Sequence, residues 1–141
     1  MSATEVDTEQ LIQAFAEIVN EQDYDRLPEV ITDDFVWRTP AAPDGEVQGR
    51  EATKEVIERM TGGFPDFHAE PGDVFVEGNE AMATVGFTGT HEGEFMDVPP
   101  TGEQFELVGA TKTRVADGKL QEQHDVVNMQ ALLAQLGVAE G

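Results

Sequence analysis

The sequence predicts an α+β domain in which N-terminal helices pack on a strongly curved, mostly antiparallel sheet. Apolar residues recur at helical spacing in the first part of the chain and at every second position from residue 67 onward. Helices followed by a run of strands are typical of α+β folds, and long strands in a sheet of four or five must twist and coil. With 141 residues, 39% of them hydrophobic, we expect a single domain over residues 1–141. Helices laid across the concave face would leave a cone whose far end is hard to fill.

Three helical segments precede most of the strands. The first spans residues 8–20, with Asp7 or Thr8 as its N-cap and apolar side chains on one face. The second is short and carries Pro28 in its first turn, where a missing N–H is tolerated. The third spans residues 51–61 and should end at the Gly-Gly pair that follows it.

The strands follow a period of two, and turn residues separate them. DDFVWRTP is a first strand, and AAPDGEVQGR reads as a loop. Four more strands are predicted: FHAEPGDVFVEG, EAMATVGFTGTHEG, EQFELVGATKTRV and KLQEQHDVV. Turns around Gly78 and at Asp117–Gly118 join the first and the last pair as hairpins. Asn128 should cap a short final helix that ends at Gly137.

The charge of the chain is strongly acidic. It has 29 Asp and Glu against 8 Lys and Arg, a formal net charge of −21. Such a surface repels nucleic acid and anionic membranes, so neither is an expected partner. An acid-rich, lysine-poor globular surface is typical of halophilic proteins, in which salt screens the repulsion between carboxylates. Any single carboxylate is therefore, by default, a solvated surface group.

Several classes of site and location are disfavoured by what the sequence lacks. No stretch approaches the ~18 apolar residues of a membrane span, and the start, MSATEVDTEQ, has neither a basic region nor an apolar core, so we expect a cytoplasmic protein. There is no cysteine, and the three histidines show no helical i, i+4 pair, so we expect no metal. Phosphate-binding glycine motifs and the G-x-S-x-G elbow are also missing.

Several segments resemble the SnoaL-like polyketide cyclase family, within the nuclear-transport-factor-2-like (NTF2-like) superfamily of cone-shaped α+β folds. They are GGFPDFHAE, GTHEGEFMDVPPTGEQF, RVADGKLQEQHDV and LLAQLGV, and the stretch from Thr90 to Gly102 is the most specific. The resemblance implies cofactor-free aldol cyclisation of a polyketide, with Asp125 as the acid/base residue. The histidine that the cyclases place on the neighbouring strand falls near Thr111 here. The resemblance also implies a homodimer through the convex sheet face, with a tetramer as an alternative.

Asp125 is the main catalytic candidate, because burial in an apolar cone would raise its pKa toward neutrality. On a regular strand Asp125 shares a face with Gln121, Gln123 and Val127, whereas His124 shares the opposite face with Leu120, Glu122 and Val126. Gln123 could then donate a hydrogen bond to Asp125. His124 is a second candidate base, or a residue that packs or forms an interface.

Five further residues are candidates with an alternative structural role each. His91 could contact ligand at the mouth of the cone, or could hold its loop through backbone hydrogen bonds. Thr111 could offer a hydroxyl, or simply favour the strand. Trp37 could stack on an aromatic ligand, while Phe15 and Phe64 could form the pocket wall; all three could equally be plain core.

Two functions remain open on these residues. The first is a cofactor-free enzyme that performs aldol cyclisation, isomerisation or epoxide hydrolysis on a small hydrophobic or aromatic carbonyl compound. The second is a binding or dimerisation module without chemistry. The environment of Asp125 distinguishes the two, since an enzyme needs this carboxyl desolvated and the module does not.

Overall fold

A computed structural model describes residues 3–138, with side chains from Thr8 onward. It confirms the α+β fold, with helices followed by a curved six-stranded sheet. The helices are α1 Ala3–Glu21, α2 Leu27–Val30, α3 Arg50–Gly63 and α4 Met129–Gln135. The strands are β1 Ile31–Arg38, β2 Glu46–Gln48, β3 His68–Glu77, β4 Glu80–Thr90, β5 Gln104–Ala116 and β6 Lys119–Val126.

The sheet has the order β2-β1-β6-β5-β4-β3. Only the β1–β6 pair is parallel; all the other pairs are antiparallel. Alternate residues of β4 and β5 are buried and exposed, so one face meets the helices and the other faces solvent. The main core lies between the concave face and the helices, around the fully buried Phe35, Ile57 and Leu120. None of the helices in the described part of the chain is long and apolar enough to cross a membrane.

Both hairpin turns and the capped final helix agree with the sequence. Asp117 and Gly118 have φ angles of 54° and 75°, the left-handed pair that a tight β5–β6 turn requires. The Asn128 side chain accepts a hydrogen bond from the Ala131 N–H at 3.1 Å, and Gly137 ends the helix at φ 81°. Pro28 lies in the first turn of α2, as predicted.

The sequence misplaces one end of each of two helices and misses one strand. Helix α1 already begins at Ala3, so residues 7 and 8 lie inside it and not at its N-terminus. The predicted loop AAPDGEVQGR contains β2, which pairs with the end of β1. Helix α3 includes both glycines and ends at Gly63, with Phe64 as its C-cap. Gly63 is needed for close packing, because a Cβ there would lie 2.8 Å from the Cβ of Phe95.

A bulge in β6 changes one predicted face. Arg114 pairs with Glu122 and Val115 pairs with Leu120, so Gln121 is an extra residue in the ladder. Leu120 therefore switches to the concave face, where it is fully buried. The prediction that Leu120 shares a face with His124 is wrong for this reason.

Candidate active site

A cavity of about 110 Å³ lies between the concave face of the sheet and the helices. Among the described residues, twenty of its lining side chains are apolar or aromatic, and the polar ones are Thr39, Thr111, Gln123 and Asp125. The apolar lining consists of Ile12, Phe15, Ala16, Val19, Trp37, Pro40, Ala41, Met60, Phe64, Phe67, Ala69, Pro71, Val85, Phe87, Phe95, Phe105, Leu107, Val127, Met129 and Leu132. The cavity is therefore an apolar pocket in which one carboxyl group is surrounded by a few hydrogen-bonding groups.

Three neutral donors hold the Asp125 carboxylate. Thr111 Oγ1 donates to Oδ1 at 2.9 Å and Gln123 Nε2 donates to the same oxygen at 3.1 Å. Trp37 Nε1 donates to Oδ2 at 2.8 Å. A carboxylate offers about four lone-pair positions. Oδ1 thus has both positions filled, and Oδ2 keeps one position free.

Strand pairing explains how these four residues meet. Thr111 and Asp125 are direct partners across the antiparallel β5–β6 pair. Gln123 lies two residues before Asp125 and therefore on the same face. Trp37 pairs with Gln123 across the parallel β1–β6 pair, and the Phe15 ring packs edge-on against it with ring centroids 5.4 Å apart. The indole N–H is thereby aimed along the sheet at Asp125.

Burial raises the pKa of Asp125 above its ordinary value, because the charged form loses its hydration inside the fold. The hydrogen bonds from Trp37, Thr111 and Gln123 act in the opposite direction, and the charge of the neighbouring His124 does so as well. Desolvation is the largest of these effects. The carboxyl group is thus shifted toward the protonated form while its carboxylate form keeps three donors.

The structure brings six of the predicted site residues to the cavity: Asp125, Gln123, Thr111, Trp37, Phe15 and Phe64. It does not bring the two histidines there. His124 is exposed on the opposite face of β6, beside Lys112 of β5 and Arg38 of β1. Alternation along a regular strand predicts this separation of His124 from Asp125.

His91 is fully buried but outside the lining of the cavity. Its Nδ1 accepts a hydrogen bond from the Thr101 N–H at 3.2 Å and lies 3.1 Å from Thr101 Oγ1. Its ring lies against Phe64, with centroids 5.3 Å apart. Its backbone N–H and C=O bond to Glu103 and Gly102. His91 therefore ties together the two ends of the loop between β4 and β5, which is the structural alternative weighed from the sequence.

Sequence reasoning missed part of the wall. Phe87, Phe105 and Leu107 all line the cavity from odd-numbered positions of β4 and β5. Alternation along these strands would have placed them on the face of Thr111. Phe95 comes from the β4–β5 loop, and no strand or helix period predicts its direction. Among the side chains that the structure describes, no group of three or more His, Asp or Glu is arranged to hold a metal ion.

Comparisons with known proteins agree on the fold. The family model described as SnoaL-like polyketide cyclase matches residues 9–136. IdmH from Streptomyces antibioticus, provisionally assigned as a polyketide cyclase, is 34% identical with a TM-score of 0.80, over 92% of this chain and 98% of that one. AclR from Streptomyces galilaeus, provisionally assigned as a hydroxylase, is 28% identical with a TM-score of 0.79, over 96% and 99% of the two chains.

A provisionally assigned SnoaL-like polyketide cyclase from Jannaschia Sp. CCS1 is 22% identical with a TM-score of 0.87, over 100% of this chain and 98% of that one. At this identity the likeness shows the fold alone. No curated protein matches the chain. The two Streptomyces proteins differ in their assigned activities, so the fold they share does not by itself select the chemistry.

Proposed function

We propose, from the premise that the chain belongs to the SnoaL-like polyketide cyclase family, that it catalyses cofactor-free acid/base chemistry on a small carbonyl compound, with aldol ring closure as the favoured reaction. The observation that supports this most is the position of Asp125. It is the one ionisable side chain among the described lining residues, and burial raises its pKa. A general base works best when its pKa lies near the working pH.

The proposed cycle uses Asp125 for both proton transfers. The carboxylate removes a proton from the carbon next to a ketone, which leaves an enolate and a carboxylic acid. The enolate carbon then attacks a second carbonyl carbon of the same molecule; the new C–C bond closes the ring, and the electron pair of that C=O moves to oxygen. The carboxylic acid returns its proton to the alkoxide, which regenerates the carboxylate. No other reactant is consumed.

The free position on Oδ2 is the proposed site of proton exchange. Both lone-pair positions of Oδ1 are occupied by Thr111 and Gln123, and Trp37 occupies one position of Oδ2. Thr111 stands where the resemblance implied a histidine. A threonine adds a hydrogen bond without a positive charge, so the burial of Asp125 is not offset by an ion pair.

The test is turnover, in molar KCl, of a short open-chain diketone that closes to a six-membered ring. Chromatography measures the cyclic product. Asp125→Asn keeps the shape of the side chain and removes the base, so we expect a rate loss of about 100-fold or more. Asp117→Asn is the matched control: the same change at an exposed hairpin turn, with an expected wild-type rate. A carboxyl NMR titration assigned with Asp125→Asn should give a pKa above about 3.9.

A wild-type rate no faster than buffer, together with an Asp125 pKa at or below that reference, would reject the enzyme. The binding module for a hydrophobic metabolite would then be the better account. Turnover that persists at the wild-type rate in Asp125→Asn would instead show that another residue acts as the base.

We also propose that the convex sheet face joins two copies of the chain. Four apolar side chains there are exposed on β3 to β6: Phe75 at 72%, Met82 at 48%, Val108 at 77% and Val126 at 58%. Phe75 pairs directly with Met82 across β3 and β4. Exposed apolar patches of this kind mark interaction sites.

Light scattering in molar KCl should give twice the chain mass for wild type. Val108→Asp should give the single chain mass, because it places a charge at the most exposed of these apolar positions. Met96→Asp is the control, since it changes an exposed apolar residue of the β4–β5 loop and should leave the dimer intact. A wild-type monomer would contradict the proposal.

The acid excess supports a further proposal: the protein works in a salt-rich cytoplasm. With a net charge of −21, repulsion among surface carboxylates opposes the compact state until salt screens it. Assays at low salt would then underestimate activity.

A further inference from the structure

We propose that the cavity selects an uncharged carbonyl compound of one ring, or of two fused rings, and discriminates strongly against anions. This inference rests on the proposed function, since it names the substrate class of the same site. It goes further in two respects: the charge of the ligand and the number of its rings.

The charge selectivity follows from the donors around the cavity. None of the described lining residues is Lys, Arg or His, and the one ionisable group is Asp125. The three donors that reach its carboxylate, from Trp37, Thr111 and Gln123, are all neutral. An anion entering this cavity would lose its hydration without meeting a counter-charge, and it would approach a carboxyl group. The net charge of −21 adds long-range repulsion.

A cation is disfavoured for a different reason. Aromatic rings and a carboxylate are the usual partners of organic ammonium ions. Here, however, three of the four lone-pair positions of Asp125 are filled, and one position on Oδ2 remains. An alkylammonium has three N–H donors, so two of them would find no further carboxylate among the described lining residues. One free position suits a ligand that exchanges a single proton.

The ring number follows from the size and the rigidity of the walls. The cavity volume is about 110 Å³, whereas an apolar cavity of about 150 Å³ takes one benzene ring. Phe64 makes edge-to-face contacts with Phe95 and Phe105 at centroid distances of 5.2 and 5.0 Å, so this wall is interlocked. The enclosed space therefore holds at most about one ring, and a second fused ring would extend out of it. A third fused ring would either displace the aromatic wall or lie wholly outside the enclosed space, where it gains no further burial.

Trp37 provides the assay. It is the only tryptophan of the chain and it lines the cavity, so quenching of its fluorescence reports occupancy. The charge series keeps one two-ring skeleton and changes the head group: tetralone, naphthoate and naphthylmethylammonium. The size series keeps the ketone and changes the ring number: cyclohexenone, tetralone and anthrone.

We expect tetralone to bind at least tenfold more tightly than naphthoate, naphthylmethylammonium and anthrone. Asp125→Asn should reduce the difference in affinity between tetralone and naphthoate, because it removes the carboxylate that repels an anion. Naphthoate or anthrone binding as tightly as tetralone in the wild type would overturn the inference.

A wall variant tests the size argument independently. Phe87 lines the cavity and is only partly buried, so Phe87→Leu should enlarge the cavity and raise the affinity for anthrone severalfold. Met96→Leu, at an exposed position of the β4–β5 loop, should leave it unchanged. Equal effects of the two variants would contradict a cavity limited by its wall.

Deuterium exchange next to the carbonyl of bound tetralone separates the two proposals. Selective binding without exchange would leave the ligand class intact and reject the acid/base function. Exchange with unselective binding would do the reverse.

Discussion

Asp125→Asn should make the protein more stable than wild type at neutral pH, although it removes the proposed catalytic group. Burial raises the pKa of Asp125 in the folded state, so the folded chain binds a proton that the unfolded chain has already released. Between the unfolded pKa and the higher folded pKa, the stability of the wild type therefore falls as the pH rises. Each unit of separation between the two values costs about 1.4 kcal/mol. An asparagine has no such penalty.

The surrounding hydrogen bonds decide whether the amide is tolerated. Trp37 donates only, whereas a threonine hydroxyl and a glutamine amide can donate or accept. The carbonyl oxygen of the substituted amide can therefore face the indole N–H, with its NH₂ group toward Thr111 and Gln123. Each of the three neighbouring side chains then keeps one hydrogen bond to this residue, so the variant should lose little of the ~1–3 kcal/mol at risk when a buried hydrogen bond is broken.

The assay is urea unfolding in molar KCl at intervals from about pH 4 to pH 8, for wild type, Asp125→Asn and the control Asp117→Asn. Other titrating groups cancel in the difference between variants. We expect the advantage of Asp125→Asn to be small near pH 4, to grow as the pH rises through the folded pKa and then to level off. An advantage that is constant with pH, or largest in acid, would refute the desolvation argument.

Three further predictions concern the rest of the fold. His91→Leu should lower the unfolding free energy by about 1–3 kcal/mol, because the Thr101 N–H loses its acceptor. Urea titration measures this free energy, and an unchanged unfolding midpoint would contradict the prediction. Gly62→Ala should raise the melting temperature, because a Cβ at this helical position meets open space. Gly63→Ala should lower it, because a Cβ there would clash with Phe95. Melting temperatures of both variants that shift in the same direction would contradict this pair of predictions. Raising KCl from low to molar concentration should raise the melting temperature, and a flat response would count against salt adaptation.

The sequence located the long elements because each carries its own local signal. The change from helical spacing to period two marks where the helices give way to the sheet, and Gly78 and the Asp117–Gly118 pair mark the hairpins. Strand β2 has no such signal, since three residues next to a Gly and Pro-rich loop show no period. Its existence depends on the free edge of β1, a tertiary condition.

The site was only partly visible in the sequence. Alternation on β6 placed Gln123 with Asp125 and His124 on the other face, because that rule needs only a regular strand. It failed at Leu120, since a bulge depends on the partner strand. The choice of Asp125 itself came from the family resemblance. Its contact with Trp37, 88 positions away, depends on the parallel β1–β6 pairing, which no local pattern encodes.

A carboxyl group that takes up and returns a proton in one cycle serves best when its two protonation states are close in free energy. Around Asp125, burial favours the neutral form and three donors favour the charged form. A cation on the neighbouring strand would also favour the charged form, but Thr111 contributes only a hydroxyl. Burial therefore remains the largest effect, and it costs stability at neutral pH. In the proposed enzyme, the same desolvation that makes the wild type less stable than the Asp125→Asn variant makes Asp125 a usable base.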